Sequence, residues 1–396
     1  MPLAFGSIAG SGILSLPSAV YAEAGTASVA VWIISAAACV PMLLMFRDAM
    51  ALSGDGNAIQ QLVTRGIAPW AGSAMPLMFL FVVVVGLPTG CIVAGQYAED
   101  GLGWPRSPTI VAVAILVAAL AANLLGGTAG RNVQLGGSAV LVVTGVFLIV
   151  TGARHGTHAM HVVPDASAWG SVLPGVLLAF WAFVGFENLT FLGRDLRDPI
   201  QDFLPVSIAA LAVYGTFALG LTLTIAGTID RHSVNAVTGL LQISTSPSVQ
   251  AGVALVGLAA MLINAAAWVR GVDQLIASAV AERQLPRQLA RQPLARTALL
   301  AGLFSVTIVV LTTNPHLTVG ALAASSAVFV MIYLICIAAY VRAVGVRLRT
   351  TLNALLVPAM LATLIQSGTR PVYGLAVSVA CLTWCYLRRK QPSTTS

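Results

Sequence analysis

Charge is scarce in this sequence. Lysine and arginine together number 20 and aspartate and glutamate 13 in 396 residues, so 8% of side chains are charged against 58% hydrophobic, with a mean hydropathy of +0.91. That balance exceeds what a water-soluble core requires, and no polar stretch is long enough to form a separate soluble domain. Cysteine is scarce too. Cys39, Cys91, Cys336, Cys381 and Cys385 all fall within or at the ends of apolar runs, where they act as small apolar side chains and imply no disulfide framework. Cys381 and Cys385 share a helix face, but with no histidine or further thiol nearby the pair does not read as a zinc site. His155, His158 and His161 in "RHGTHAMH" have no evident fourth ligand and read as a polar external loop. Also missing are HExxH, a GxSxG elbow, a phosphate-cradling glycine loop and paired intramembrane carboxylates. No catalytic apparatus is visible, and no cofactor or metal is expected.

What is present in abundance is apolar sequence in span-length runs. About 20 such residues cross roughly 30 Å of hydrocarbon as a helix. Twelve spans are predicted, at about 3–24, 26–46, 72–97, 107–126, 132–152, 170–193, 204–228, 249–280, 297–313, 317–341, 351–366 and 371–387. The first lacks the charged leader and small-residue cleavage site of a signal peptide and is expected to stay in the mature protein. Alternating the loops puts fifteen basic residues on the side of the N-terminus and four, Arg106, Arg154, Arg231 and Arg370, on the other, with Arg270 inside a span. The positive-inside rule then places both termini in the cytoplasm. The net charge of +7 reads as a topology signal, and no nucleic-acid partner is expected.

Three places within the spans are polar. "GSIAGSGIL" carries Gly10, Ser11 and Gly12; "FWAFVGFENLTF" carries Gly185 and Glu187; "NAAAWVRGVDQ" carries Arg270 and Asp273. A carboxylate in hydrocarbon costs several kcal/mol and a mid-helix glycine about 1 kcal/mol relative to alanine, so these residues point to function. Glycine interrupts the first and sixth spans at comparable depth. Paired broken helices five spans apart are the mark of an inverted-repeat transporter. Each break frees backbone N–H and C=O groups that hydrocarbon cannot satisfy, leaving them to a ligand, water or neighbouring protein. Amide groups at a half-helix start suit a carboxylate and carbonyls at a half-helix end suit an ammonium, so an amino-acid zwitterion fits. Taken alone, Gly10-Ser11-Gly12 also fits close helix packing of the small-xxx-small kind.

"GSIAGSGILSLPS" together with "FWAFVGFENLTFLGRDLRDPIQDF" resembles the amino acid–polyamine–organocation superfamily, over essentially the whole chain. "VVGLPTGCIVAG", "FVMIYLICIAAY" and the short basic tail resemble, more narrowly, the bacterial exporters of methionine and branched-chain amino acids. The resemblance implies an all-α polytopic membrane protein of about twelve helices, with a LeuT-type 5+5 inverted repeat, broken helices 1 and 6 and two extra C-terminal helices. It further implies one transporter domain over 1–396, with repeats at 1–152 and 170–341, extra helices at 351–387 and a cytoplasmic tail at 388–396. By the same resemblance Gly10, Ser11 and Gly12 would hold the substrate carboxylate, and Trp181 and Val184, at the Gly185 break, would offer carbonyls to the ammonium. Trp181 matches an aromatic gate, Trp268 a pocket-lining tryptophan and Glu187 a residue tied to proton sensing or gating; Gly86 and Leu87 match the pocket more loosely. Leu87, Trp181, Phe183 and Trp268 make the candidate pocket apolar or aromatic. Relatives have a proline and paired glycines where this chain reads "SGDGN", and "DFP" where it reads "DFLP".

Span eight, "NAAAW", lacks the hydroxyl oxygens a sodium site of this type needs, which leaves protons as the coupling ion to test. Span five lacks the lysine of some proton-coupled relatives. Arg270 is then a candidate fixed charge, with Asp273 one turn away as counter-ion. Its depth, about 24 Å from Pro286 at 1.5 Å per residue, argues against a snorkelling side chain if the helix is continuous. The expected function is secondary transport of small apolar amino acids, outward across the bacterial inner membrane. An importer or exchanger of another small amine, and a channel or sensor on the same scaffold, stay open.

Overall fold

The structure, a computed structural model, describes residues 11–53, 57–105, 107–125, 130–155, 168–183, 199–281, 284–286 and 288–389. Among these the chain is helical throughout its ordered elements. The first half comprises α1 (Ser11–Ala24), α2 (Ser28–Ser53), α3 (Ala58–Gly66), α4 (Pro69–Leu102), α5 (Ser107–Leu124) and α6 (Gly130–His155). The second comprises α7 (Val172–Phe183), α8 (Pro199–Thr228), α9 (Pro247–Ala281), α10 (Gln288–Arg291), α11 (Pro293–Thr313) and α12 (Thr318–Val344). The chain closes with α13 (Leu348–Ala354), α14 (Leu356–Gln366) and α15 (Val372–Arg388).

Each of the twelve predicted spans has its helix, and apolar length explains why: seven helical stretches, one of them covering both α1 and α2, are long and apolar enough to cross a bilayer, and four shorter apolar helices supply the rest. Two local differences emerge. The eleventh span is two helices, α13 and α14, joined at Leu355. The segment after the second span, read as a loop, contains α3. Its nine residues are too few to span, but Ala58, Ile59, Leu62 and Val63 are buried on one face and the Asn57 side chain caps the helix by accepting from Gln60 N–H at 3.2 Å.

The centre of the bundle is α4. At 34 residues, about 51 Å, it is buried over nearly its whole length, packing against α5, α9, α11, α12 and α15. Pro69 starts it, where the missing N–H is no loss, and Gly103, in the left-handed region at φ 68°, ends it. Pro88 inside the helix cannot donate to the carbonyl of Val84. The Thr307 hydroxyl of α11 donates to that buried carbonyl at 2.8 Å, so a neighbouring helix satisfies the group the proline frees. Two apolar clusters flank α4. The larger joins α1, α2, α7, α8 and α12; the smaller joins α5, α9 and α11. Outward faces are apolar as well, with Val306, Val309 and Val310 of α11 and Leu361 and Ile365 of α14 exposed, as a lipid solvent allows.

All five cysteines are buried, as their apolar surroundings predicted.

Candidate functional site

The two helices expected to carry the breaks lie side by side. A Cβ added at Gly12 of α1 would sit 3.5 Å from the Cα of Ala182 in α7, 3.2 Å from the Tyr214 hydroxyl of α8 and 3.1 Å from Cδ1 of Leu16. Glycine thus lets α1 approach α7 at the last described turn before the sixth-span break. α1 begins at Ser11. Gly10, Val184, Gly185 and Glu187, and the loop histidines His158 and His161, lie outside the described residues.

Trp181 and Phe183 are two residues apart on α7, about 200° around the helix, and face different neighbours. Trp181 is half-buried. Its indole lies directly on Gly86 of α4, where a Cβ would be 2.1 Å from Cη2 and 2.9 Å from Cζ2 and Cζ3. Its ring is 6.2 Å from Phe329, which continues through Tyr333 (6.1 Å) to Phe180 (5.6 Å from Tyr333). Phe183, by contrast, is buried edge-on between Trp32 (5.8 Å) and Tyr214 (5.9 Å), and Trp32 is itself fixed by a 2.9 Å hydrogen bond to the Thr222 hydroxyl. Such edge-on pairs are favourable beyond their buried area and hold this side of α7 against α2 and α8.

The pocket candidates therefore separate. Leu87 belongs to the smaller cluster with α5, α9 and α11, Phe183 to the larger one, and Trp268, half-buried, packs against both. Gly86, Trp181 and Trp268 are the candidates on the central seam. Tyr214, Phe329 and Tyr333 were not singled out from sequence; their aromatic rings at buried positions are indistinguishable there from ordinary packing.

Asp273 meets a partner that sequence spacing did not offer. Arg296, in the first turn of α11, holds both Asp273 oxygens, Nε to Oδ1 at 2.6 Å and Nη2 to Oδ2 at 3.1 Å. The pair also revises the depth of Arg270. α9 is continuous through Ala281, and Arg270, exposed, lies one turn, about 4.5 Å along the helix, from the Asp273 that meets the first turn of α11.

At the opposite end, two of the four basic residues that run against the charge asymmetry converge on α1. Arg231 donates from Nε to the Ala22 carbonyl at 3.2 Å and from Nη2 to the Glu23 carbonyl at 2.7 Å, and Arg370 Nη2 meets Glu23 Oε2 at 2.7 Å. Cations satisfy the last-turn carbonyls and complement the negative end of the helix dipole. Tyr21 adds a 3.3 Å bond to the Ile229 carbonyl, and the Thr238 hydroxyl bonds Asp100 of α4. The segment after α8 is thereby tied down across the outer half of α1.

Twelve apolar spans, with the first and sixth packed against each other beside an aromatic seam, describe a multi-pass membrane transporter. The family model described as amino acid permease matches residues 2–385, and the chain belongs to that family. It is 29% identical over 224 residues to an uncharacterized transporter of Mycobacterium tuberculosis, covering 52% of this chain and 48% of that one, so the match spans about half of that relative's length. It is 23% identical over 295 residues to an uncharacterized amino acid permease of Bacillus subtilis (72% and 68% covered). It is 23% identical over 223 residues to the L-methionine/branched-chain amino acid exporter of Escherichia coli (55% and 53% covered). Among solved structures, the manganese transporter of Eremococcus coleocola superposes with a TM-score of 0.62 at 12% identity, covering 98% of this chain and 94% of that one. At that identity the likeness establishes the inverted-repeat fold and nothing of the cargo.

Proposed function

We propose that this protein exports small apolar amino acids, methionine, leucine, isoleucine and valine, by alternating access across a bacterial inner membrane with both termini in the cytoplasm. The observation that carries the reading is the half-buried Trp181 indole lying on Gly86, next to the α1–α7 contact at Gly12. Backbone N–H groups of Gly10, Ser11 and Gly12 take the carboxylate. Carbonyls of Trp181 and Val184, exposed by the break at Gly185, take the ammonium, and Trp181 with Trp268 presents an aromatic wall to an apolar side chain. Leu87 and Phe183, packed in different clusters, stand outside that wall. The first repeat spans 1–152 and the second 170–341.

The activity named for the Escherichia coli relative supports both substrate class and direction. Protons are the proposed coupling ion, with Glu187 as the titrating group and Arg270 as a fixed positive charge toward the arginine-rich end. The deciding experiment is dipeptide feeding of cells with and without the gene, reading intracellular amino acids. Export predicts that cells lacking the gene accumulate methionine and branched-chain amino acids. Lower accumulation in those cells shows import instead, and selective accumulation of arginine or glutamate overturns the substrate class.

A further inference from the structure

The last turn of α15 carries a cluster that transport does not use. The guanidinium of Arg389 lies 3.6 Å from the ring centroid of Tyr386, and that of Arg388 lies 4.2 Å from the ring of Trp384. Tyr386 is held from its other side by Trp70, at the start of α4, with centroids 5.3 Å apart and planes at 87°. The Gln284 carbonyl, on the segment following α9, accepts from both Trp384 Nε1 and Arg388 Nη1 at 3.3 Å. Two arginines that would otherwise sweep a large volume are thus stacked in place by three elements, and stacking uses the guanidinium face while its N–H donors lie in the plane.

The surface above the cluster is apolar. Val372, Leu375 and Val379 are 61%, 54% and 56% exposed on one side of α15, and the stripe runs down to Tyr386 at 39% with Leu387 beside it at 61%. Along this helix the exposed apolar face runs about 22 Å from Val372 to Leu387 and ends at the level of two positive charges that flank it, exposed Arg389 beside Tyr386 and partly buried Arg388 beside Trp384, with no carboxylate in α15 or in the first half of α4. The half of that face nearer the arginines, about 15 Å, matches the hydrocarbon depth of one leaflet and fits acyl chains, with an anionic headgroup at the arginines.

We propose that Arg388 and Arg389, stacked on Trp384 and Tyr386, form a headgroup site for an anionic phospholipid, with the exposed stripe of α15 receiving its acyl chains. An arginine near a charged membrane surface strengthens binding about fivefold, so the pair is worth about thirtyfold.

The test is a thermal-melt titration of the detergent-purified full chain with phosphatidylglycerol, phosphatidylcholine or inorganic phosphate. The wild-type protein is expected to be stabilised by phosphatidylglycerol alone. Arg388→Ala/Arg389→Ala should weaken that binding about thirtyfold. Arg342→Ala/Arg347→Ala, which removes the same charge from exposed residues at the same end of the bundle, should weaken it less than about threefold, since long-range charge is screened within a Debye length. Equal loss in the two pairs, equal stabilisation by phosphatidylcholine, or saturation by inorganic phosphate would each overturn the proposal. If the double variant does not fold, Arg389→Gln, whose side chain is exposed, gives the same reading at about fivefold.

Discussion

Gly86→Ala puts the aromatic seam to a quantitative test. The new methyl carbon would stand 2.1 Å from Cη2 of Trp181, about 1.3 Å short of ordinary contact at 3.4 Å, so the indole must move by at least that much. Overpacking of this kind costs about 1–3 kcal/mol, while alanine in place of a mid-helix glycine returns about 1 kcal/mol. The net destabilisation is expected to be about 0–2 kcal/mol, small enough for the protein to insert and fold. The effect on substrate should be larger. A ring displaced by more than 1 Å no longer forms the wall of the site, and methionine affinity should fall at least about tenfold. All three atoms in contact belong to the outer six-membered ring of the indole, which a phenyl group at 181 does not reach. Trp181→Phe in the Gly86→Ala background should therefore recover stability, with a coupling of about 1–2 kcal/mol in a double-mutant cycle. Thermal denaturation in detergent and methionine binding by intrinsic tryptophan fluorescence read the two effects separately. Strictly additive stabilities, or wild-type methionine affinity in Gly86→Ala, would refute the placement of Trp181 at the substrate wall.

Gly12→Leu should abolish methionine binding and transport while leaving membrane insertion intact, because the added side chain meets Tyr214 and the α7 backbone at Ala182; normal binding in that variant would remove Gly12 from the site. Thr307→Val should cost about 1 kcal/mol by stranding the Val84 carbonyl that Pro88 frees, whereas Thr312→Val, whose hydroxyl bonds its own helix at Ile308, should cost under about 0.5 kcal/mol; equal melting shifts would contradict this. Glu187→Gln should still bind substrate but lose most of the pH dependence of transport in proteoliposomes with an imposed proton gradient. An unchanged pH profile would make Glu187 a structural hydrogen-bonding residue. Arg270→Ala should lower turnover more than affinity, measured in the same vesicles.

Span number and fold class were legible in the sequence because a bilayer imposes a length on every apolar run: each predicted span has a helix, and even the cysteines are buried where hydropathy put them. Glycines at 10, 12 and 185 marked candidate interruptions of the first and sixth spans; Gly12 lies within α1, and the other two fall outside the described residues. Lateral pairing is another matter. In lipid, helix faces are sorted by shape and by polar bonds between residues distant in sequence, and hydropathy treats Trp181 and Phe183 alike although one lies on Gly86 and the other is packed between Trp32 and Tyr214. The same reasoning offered Asp273 only its neighbour Arg270, and the tertiary structure brings Arg296 to it from across a loop. Arg231 and Arg370 counted in the sequence only as exceptions to a charge rule, and the fold brings both to the last turn of α1, where helix carbonyls and Glu23 need cations. Periodicity and hydropathy report what each helix needs from its surroundings; only the packed bundle decides which residue of which other helix supplies it.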